Sequence, residues 1–338
     1  MTKVFLIEKH ILPNLRKIVS NNIKNKFKEG DVVAVKVHMG EYGNLAYVRP
    51  PIIGVVVEEL KKIGAKPFLF DTIALYPGQR DSVEKYKETA VKNGFTEETI
   101  GCPIVISDEG LKMKSKFFSS VEIAKKMYEA NGAVVISHFK GHDLTTFGGA
   151  IKNIGMGCVT KKGKGTLHFD TQPEVTESCT GCGICSKVCR QNAISIKDGR
   201  AVINYNDCYG CCNCVDACPN KAMKQKTTSL ASGLTEVCSI FKNKFGKKML
   251  YVNVLLDITD LCDCYPIGAT DAGKVITPDI GVTVSEDMIA VDKASLDLVQ
   301  KATDNKFGKL IVADPLKQIK AAKEFNLGSD KYEIEVIE

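Results

Sequence analysis

No apolar run in this sequence approaches the length that spans a bilayer, so a membrane partner is not expected. The opening Met1-Thr2-Lys3-Val4-Phe5 lacks the charged and apolar regions of a secretory signal, and a cytoplasmic location is the expectation. Gly-x-x-x-x-Gly-Lys-Ser/Thr is absent as well, which excludes a P-loop; Gly163-Lys164-Gly165 does not supply one. Charge of either sign is close to balanced, at +6 formally (46 basic minus 40 acidic side chains). So small a bias gives no reason to expect a nucleic-acid partner. Histidine is scarce, with five in 338 residues, but cysteine is not, with fourteen. Without a secretion signal, that many cysteines point to a reducing compartment and metal ligation instead of disulfides.

Eight of the cysteines fall in two copies of one spacing. The first is Cys179-x-x-Cys182-x-x-Cys185-x-x-x-Cys189, and the second is Cys208-x-x-Cys211-x-x-Cys214-x-x-x-Cys218-Pro219. The copies are offset by 29 residues (208 minus 179). This is the bacterial ferredoxin run, in which three thiolates of each copy bind one [4Fe–4S] cluster and the fourth binds the other. Cluster I is then assigned to Cys179, Cys182, Cys185 and Cys218, and cluster II to Cys208, Cys211, Cys214 and Cys189. A zinc ribbon is the competing reading, but it needs two Cys-x-x-Cys pairs, whereas each copy here has three close cysteines and a fourth. Two oxidised clusters of charge about −2 each would bring the protein nearer to +2. Arg190 stands where a proline is expected after the first copy. Between residues 171 and 226 there are five acidic and seven basic side chains, so this stretch is not a strongly acidic electron shuttle.

The chain is too long for one comfortable core, and two units are expected. Residues 1–170 alternate apolar β-branched runs with helical patterns. Val4–Ile7, Asp31–His38, Pro67–Phe70, Pro103–Ile106 and Ala133–Ser137 read as strands. Helical patterns run through Leu12–Ile23, from Pro51 to Gly64, over Ser82–Lys92 and near Val121–Ala130. The alternation resumes after the cysteines with a helix at Leu234–Lys244, a strand at Met249–Leu256 and a helix at Asp287–Ala302, capped by Ser285 or Glu286. The expected fold is α/β, a mostly parallel sheet with helices on both faces, interrupted by a ferredoxin-like α+β two-cluster insert. Residues 1–170 and 227–338 make the split α/β domain, and 171–226 the insert, with small polar junctions at Thr171-Gln172-Pro173 and Lys224–Ser229.

In such sheets the ligand crevice lies beyond the carboxyl ends of the strands. Ionisable residues gather there: Lys36, His38 and Glu41, then Asp71 and Thr72, then His138, Lys140 and His142. His142 and His38 are candidate general acid/base groups, because imidazole titrates near neutrality. Lys36 joins them as a candidate catalytic or anion-binding residue. Gly148-Gly149 precede Lys152, a pattern whose amides and lysine suit an anionic ligand; a tight turn beside a surface lysine is the alternative. Cys262 and Cys264, in Cys-x-Cys, read either as ordinary buried thiols or as soft ligands for a further metal with Cys158 or Cys238. Cys212, inside the second copy, is not expected to be a ligand.

Several segments together resemble one family: Val35–Glu41, His138–His142, Phe147–Gly155, Asp260-x-Cys262-Asp263-Cys264, and Asp279-Ile280-Gly281 with Ser285-x-Asp287-x-x-Ala290. They cover most of the chain and are similar to the uncharacterised iron–sulfur center protein family. That resemblance implies an α/β domain of unknown function with an embedded two-cluster ferredoxin module. A more distant similarity is to the N-terminal domain of the nickel-pincer lactate racemase family. His142, Gly148-Gly149-x-x-Lys152 and His168 follow that family's order, with gaps of 10 and 16 (152 minus 142, 168 minus 152). Phe147 stands where that family has serine, and Met156 where it has proline. This similarity implies that Lys152 holds a bound cofactor and that His168 faces a metal.

The leading expectation is an iron–sulfur oxidoreductase, or a subunit of one. Its clusters relay single electrons between a redox partner protein and a small molecule in the crevice. A non-redox isomerase or transferase with structural or sensing clusters is the alternative, and a plain electron carrier the second.

Overall fold

A computed structural model of the chain describes residues 1–262, 273–307 and 314–338. Its main sheet is built from β1 (Thr2–Ile7), β2 (Val32–Lys36), β3 (Lys66–Asp71), β4 (Ile104–Ile106), β5 (Gly132–His138), β6 (Met249–Leu255), β7 (Gly281–Ser285) and β8 (Tyr332–Ile337). The spatial order is β8-β1-β7-β6-β5-β2-β3-β4. β7 is antiparallel to both neighbours, β1 and β6, while the other adjacent pairs are parallel. The central strands β5 and β6 are buried along their whole length, as their mostly apolar sequences require of strands covered on both faces.

Alternation along each strand divides the core. Val33, Val35, Val134 and Ile136 face helices α1 (Ile11–Ile23), α2 (Pro50–Lys62) and α3 (Val83–Lys92). Ala34, Ala133 and Val135 face the other side, with α4 (Ala150–Gly155), α5 (Lys161–Phe169), α6 (Leu230–Phe245), α7 (Met288–Ala302) and α8 (Lys317–Glu324). Each long helix presents one apolar stripe: α1 buries Leu15, Ile18, Val19 and Ile23, at the spacing of a single helical face. The sheet is therefore mostly parallel with helices on both faces.

Two local expectations are corrected. Val121–Ala124 is a strand, antiparallel to Gly110–Met113, and only Lys125–Glu129 is helical. Val121 and Ile123 alternate with polar neighbours, and this period of two prevails once a partner strand is at hand. The cap of α7 is Asp287, neither Ser285 nor Glu286. Its carboxylate accepts from Ile289 and Ala290 N–H at 2.9 and 3.0 Å, and also from Ser329 N–H at 2.9 Å.

The stretch from Pro173 to Gln225 has its own small core of Cys185, Ile194, Ala201, Ile203, Cys214 and Met223. Pro173–Val175 pairs with Met223–Gln225, and Ile194–Lys197 with Arg200–Ile203. The 29-residue repeat is also a repeat of backbone conformation. Short helices begin at Ile184 and Asn213, and positive φ recurs at Gly181 and Gly210, Gly183 and Cys212, and Asn192 and Lys221. Cys212, at φ 60°, occupies the turn position that Gly183 fills in the first copy. No helix among the described residues is long and apolar enough to cross a membrane.

Replacing Asp287 by Ala removes the α7 cap and its tie to the β8 approach. Denaturant unfolding should show a loss of about 1–2 kcal/mol.

Candidate functional site

Beyond the carboxyl ends of β2, β3 and β5 lies an open-mouthed crevice with about 910 Å³ of empty space. Lys36 and His38 come to it from β2, Asp71 and Thr72 from β3, and His138 from β5. Lys140 and His142 come from the hairpin after β5, Gly148, Gly149, Lys152 and Asn153 from the start of α4, and His168 from α5. The residues singled out in the sequence as candidate catalytic and anion-binding groups thus surround one cavity.

Its floor is a buried ion pair. Lys36 Nζ lies 2.9 Å from Asp71 Oδ1 and donates to Asn153 Oδ1 at 2.7 Å. Asp71 also accepts from the Tyr86 hydroxyl at 2.5 Å and from Thr72 N–H at 2.8 Å. Burial works to raise the Asp71 pKa, but Lys36, His38 and Tyr86 outweigh it and hold the carboxyl below its usual value. Gly157 has to be glycine because a Cβ there would come within 2.6 Å of Lys36 Nζ. Lys36 is therefore a fixed, paired cation in the floor.

Hydrogen bonds assign the imidazole tautomers. His38 Nδ1 accepts from Gly40 N–H at 3.0 Å, and His142 Nδ1 accepts from Leu144 and Thr145 N–H at 3.1 and 3.2 Å. Each neutral ring then carries its proton on Nε2 and is oriented to donate. Asp143 Oδ1, 3.3 Å from His142 Nδ1, is no ion-pair partner, since two amides already point hydrogens at that nitrogen. His168 is the reverse: Nδ1–H donates to the Tyr209 carbonyl at 2.9 Å, and Nε2 accepts from the Tyr76 hydroxyl at 3.3 Å. Burial lowers the His168 pKa to about 4, so the ring is neutral at ordinary pH.

The glycine pair has a different reason from the expected one. The free amides at the start of α4, Ala150 and Ile151 N–H, are taken by Asp292 at 2.7 and 2.9 Å. A Cβ on Gly149 would lie 2.4 Å from Asp292 Oδ1. The anion cradled at this helix start is the protein's own carboxylate. Burial raises the Asp292 pKa to about 6 against its three donors, of which Asn253 is the third, at 2.7 Å.

Cys262 reaches the crevice and sits 3.8 Å from Lys152 Nζ. Cys158 and Cys238 do not join it. Both are buried in the core beneath α4, where burial pushes the Cys158 thiol up to about 12 and Cys238 well above its normal value. Of the three, only Cys262 lines the crevice; Cys264, its partner in the Cys-x-Cys reading as soft ligands, lies outside the described residues. Sequence reasoning passed over Lys164, Tyr76 and Arg80, which also line the crevice. Arg80 pairs with Glu41 in a buried contact. Lys164 donates to the Thr72 hydroxyl and the Val159 carbonyl, and burial lowers its pKa to about 7. A lysine between two glycines gave no signal of burial.

The ferredoxin-like stretch holds two further cavities. One is lined by Cys179, Cys182, Cys185 and Cys218, the other by Cys189, Cys208, Cys211 and Cys214, with Cys212 beside them. Among the described residues no three His, Cys, Asp or Glu side chains converge on a point that one metal ion could fill. The cysteines stand around spaces, an arrangement suited to a multi-atom cluster more than to a single zinc. Backbone amides also aim at the sulfurs: Ala193 at Cys189 (3.3 Å), Ala222 at Cys218 (3.2 Å) and Ala201 at Cys179 (3.4 Å). Such N–H···S bonds stabilise ligating thiolates and tune a cluster. Cys212 is turned away, its Sγ 3.2 Å from the Thr171 carbonyl.

The second cavity adjoins the crevice. Tyr209, between Cys208 and Cys211, packs edge-on against Tyr76 and His168, with ring centroids 5.0 and 5.7 Å away. A Cβ on Gly210 would lie 2.1 Å from the His168 carbonyl, so that loop closes directly on α5.

A family model described as a domain of unknown function, DUF362, matches residues 33–297. The polyferredoxin protein MvhB of Methanothermus fervidus is 41% identical over 58 residues, 17% of this chain and 14% of that protein. Ferredoxin-1 of Rhodobacter capsulatus is 46% identical over 48 residues, 12% of this chain and 74% of that ferredoxin. Part of the chain is thus of the ferredoxin-like, iron–sulfur type. Among solved structures, the lactate racemase apoprotein from Thermoanaerobacterium thermosaccharolyticum aligns with a TM-score of 0.41 at 11% identity, covering 89% of this chain and 58% of that one. A structural-genomics crystal structure from Thermotoga maritima gives 0.41 at 9% identity, over 87% of this chain and 58% of that one. The chain spans a small fraction of the polyferredoxin and little more than half of each solved structure.

Replacing Lys36 by Met leaves Asp71 buried without its cation. Chemical denaturation should show a loss of about 3–5 kcal/mol, the scale of a broken buried pair.

Proposed function

The chain belongs to the family described as a domain of unknown function (DUF362), a description that assigns no reaction, and from that premise we propose an iron–sulfur oxidoreductase that passes single electrons to an anionic small molecule in the crevice. Cys179, Cys182, Cys185 and Cys218 would hold one [4Fe–4S] cluster, and Cys208, Cys211, Cys214 and Cys189 the other. When bound, each cluster supplies one-electron transfer at a potential set by its surroundings. The observation that carries this reading is the shared wall: Tyr209, within the second cysteine loop, accepts the His168 N–H and packs on Tyr76. The first cavity shares no lining residue with the crevice, and its Cys182 is exposed. A redox partner protein would therefore deliver electrons at the Cys182 side, and they would leave through the second site.

Crevice chemistry favours an anion. Among the described residues, Lys36, Arg80, Lys140, Lys152 and Lys164 line it against one acid, Asp71. Lys140 and Lys152, which come from the hairpin after β5 and from α4, would face the ligand's negative groups. His142 and His38 would donate from Nε2 to a ligand oxygen on which charge develops. In this orientation they are hydrogen-bond donors, not bases. A plain electron carrier has no use for such a crevice. The isomerase alternative rests on Lys152 and His168, which line the same space, and it requires no electron entry.

Anaerobically reconstituted protein should contain about eight iron atoms and about eight acid-labile sulfides. Stoichiometric zinc in their place would end the proposal. Cys182→Ala should remove up to about four of the irons and one of two paramagnetic signals after reduction, while the main fold melts unchanged.

A further inference from the structure

One amine in the crevice is held unlike the other cations. Lys36 and Arg80 are ion-paired with Asp71 and Glu41. Lys164 is buried, and among the described residues its Nζ meets only neutral acceptors, the Thr72 hydroxyl and the Val159 carbonyl. Two acceptors occupy two N–H bonds, which is all an uncharged amine has, and its lone pair is left over. Helix α5 carries this side chain into the crevice wall because the preceding residue is small: a Cβ on Gly163 would lie 2.2 Å from the Glu122 carbonyl.

The charged and titratable groups facing the amine are Lys36 and Asp71 at the strand ends, Asp108 after β4, and Cys158 before α5. Burial is the strongest influence on it. Asp71 and Asp108 oppose burial and Lys36 reinforces it, leaving a value of about 7. Desolvation beside a second cation is a recognised way to make a lysine nucleophilic at neutral pH.

We propose that Lys164 is the crevice's nucleophile toward a carbonyl carbon, and that the anionic ligand is an oxo acid, a small aldehyde or ketone that also bears a carboxylate. The ligand class rests on the reading of the crevice as an anion site, and does not depend on the clusters. The Nζ lone pair forms a bond to the carbonyl carbon as the C=O π bond opens, giving a carbinolamine. The oxygen then departs as water with both amine hydrogens, and a C=N bond remains. No oxidant or reductant is consumed. Lys140 and Lys152 line the same crevice and add positive charge where the carboxylate would lie. Since Lys164 must be uncharged, imine formation rises with pH through about 7 and is lost below it.

The test is reductive trapping on the holo protein with glyoxylate and cyanoborohydride near pH 7, followed by peptide mapping. Formaldehyde serves as the uncharged control reagent. Lys164 should be alkylated by glyoxylate on the order of a hundredfold faster than exposed Lys162, because far more of it is uncharged at that pH. Its lead should shrink with formaldehyde. Lys164→Gln, checked for iron content and melting, supplies the background. If Lys164 reacts no faster than Lys162 with either reagent, the nucleophile assignment is overturned. Equal leads with both reagents overturn the oxo-acid assignment. Full iron content without Lys164 trapping rejects this inference alone, and trapping in a protein that takes up no iron rejects the cluster reading alone.

Discussion

A buried hydrogen bond from His168 ties the wall of the crevice to the second cysteine loop. His168 Nδ1 donates to the Tyr209 carbonyl at 2.9 Å, from a buried ring kept neutral by its surroundings. Around it the contact is tight: Thr171 Oγ1 donates to the Gly210 carbonyl at 3.0 Å, and Gly210 has no room for a side chain. Lys317 of α8 adds a bond to the Cys211 carbonyl at 3.4 Å and an ion pair with Asp216 at 2.6 Å. The ferredoxin-like stretch is therefore docked chiefly through its second cysteine loop, with Gln191 after Cys189 adding a bond to Asp143 at 3.3 Å. Docking by the second loop leaves the first loop outward, and this asymmetry gives the proposed electron path its direction.

The crevice depends on a second constraint, the cost of burying charge. Asp71 is tolerable inside because Lys36, Tyr86 and a backbone amide all donate to it. Asp292 is tolerable because the start of α4 and Asn253 supply three donors. Together these acids anchor β2, β3 and α4, so Lys36 and the backbone of Lys152 are held in place before any ligand arrives. Lys164 lies outside this compensation, and for that reason it is the group whose charge the burial can remove.

The fold class was legible because buried strands such as Gly132–His138 and Met249–Leu255 are mostly apolar. Val121–Ala124 was misread because four residues cannot separate a short strand from a helix start without knowledge of the partner strand. Strand-end reasoning named Lys36, His38 and His142, the glycine-rich pattern and the racemase-like order added Lys152 and His168, and the structure sets all five around one crevice. What it missed was created by distant partners. Lys164 is buried against Thr72, 92 positions away, and the amides after Gly149 are satisfied by Asp292, more than 140 positions away. Tyr209 occupies an unspecified position of Cys208-x-x-Cys211, and its contact with the crevice wall follows from how the cysteine-rich stretch docks.

The most direct measurement is a redox titration followed by paramagnetic resonance on holo protein, comparing the original chain with His168→Phe. Losing the donor to Tyr209 should shift the midpoint of one cluster, the one held by the Cys208 loop, and leave the other where it was. Two unmoved midpoints, or two that move together, would contradict a docked second cluster at the crevice wall.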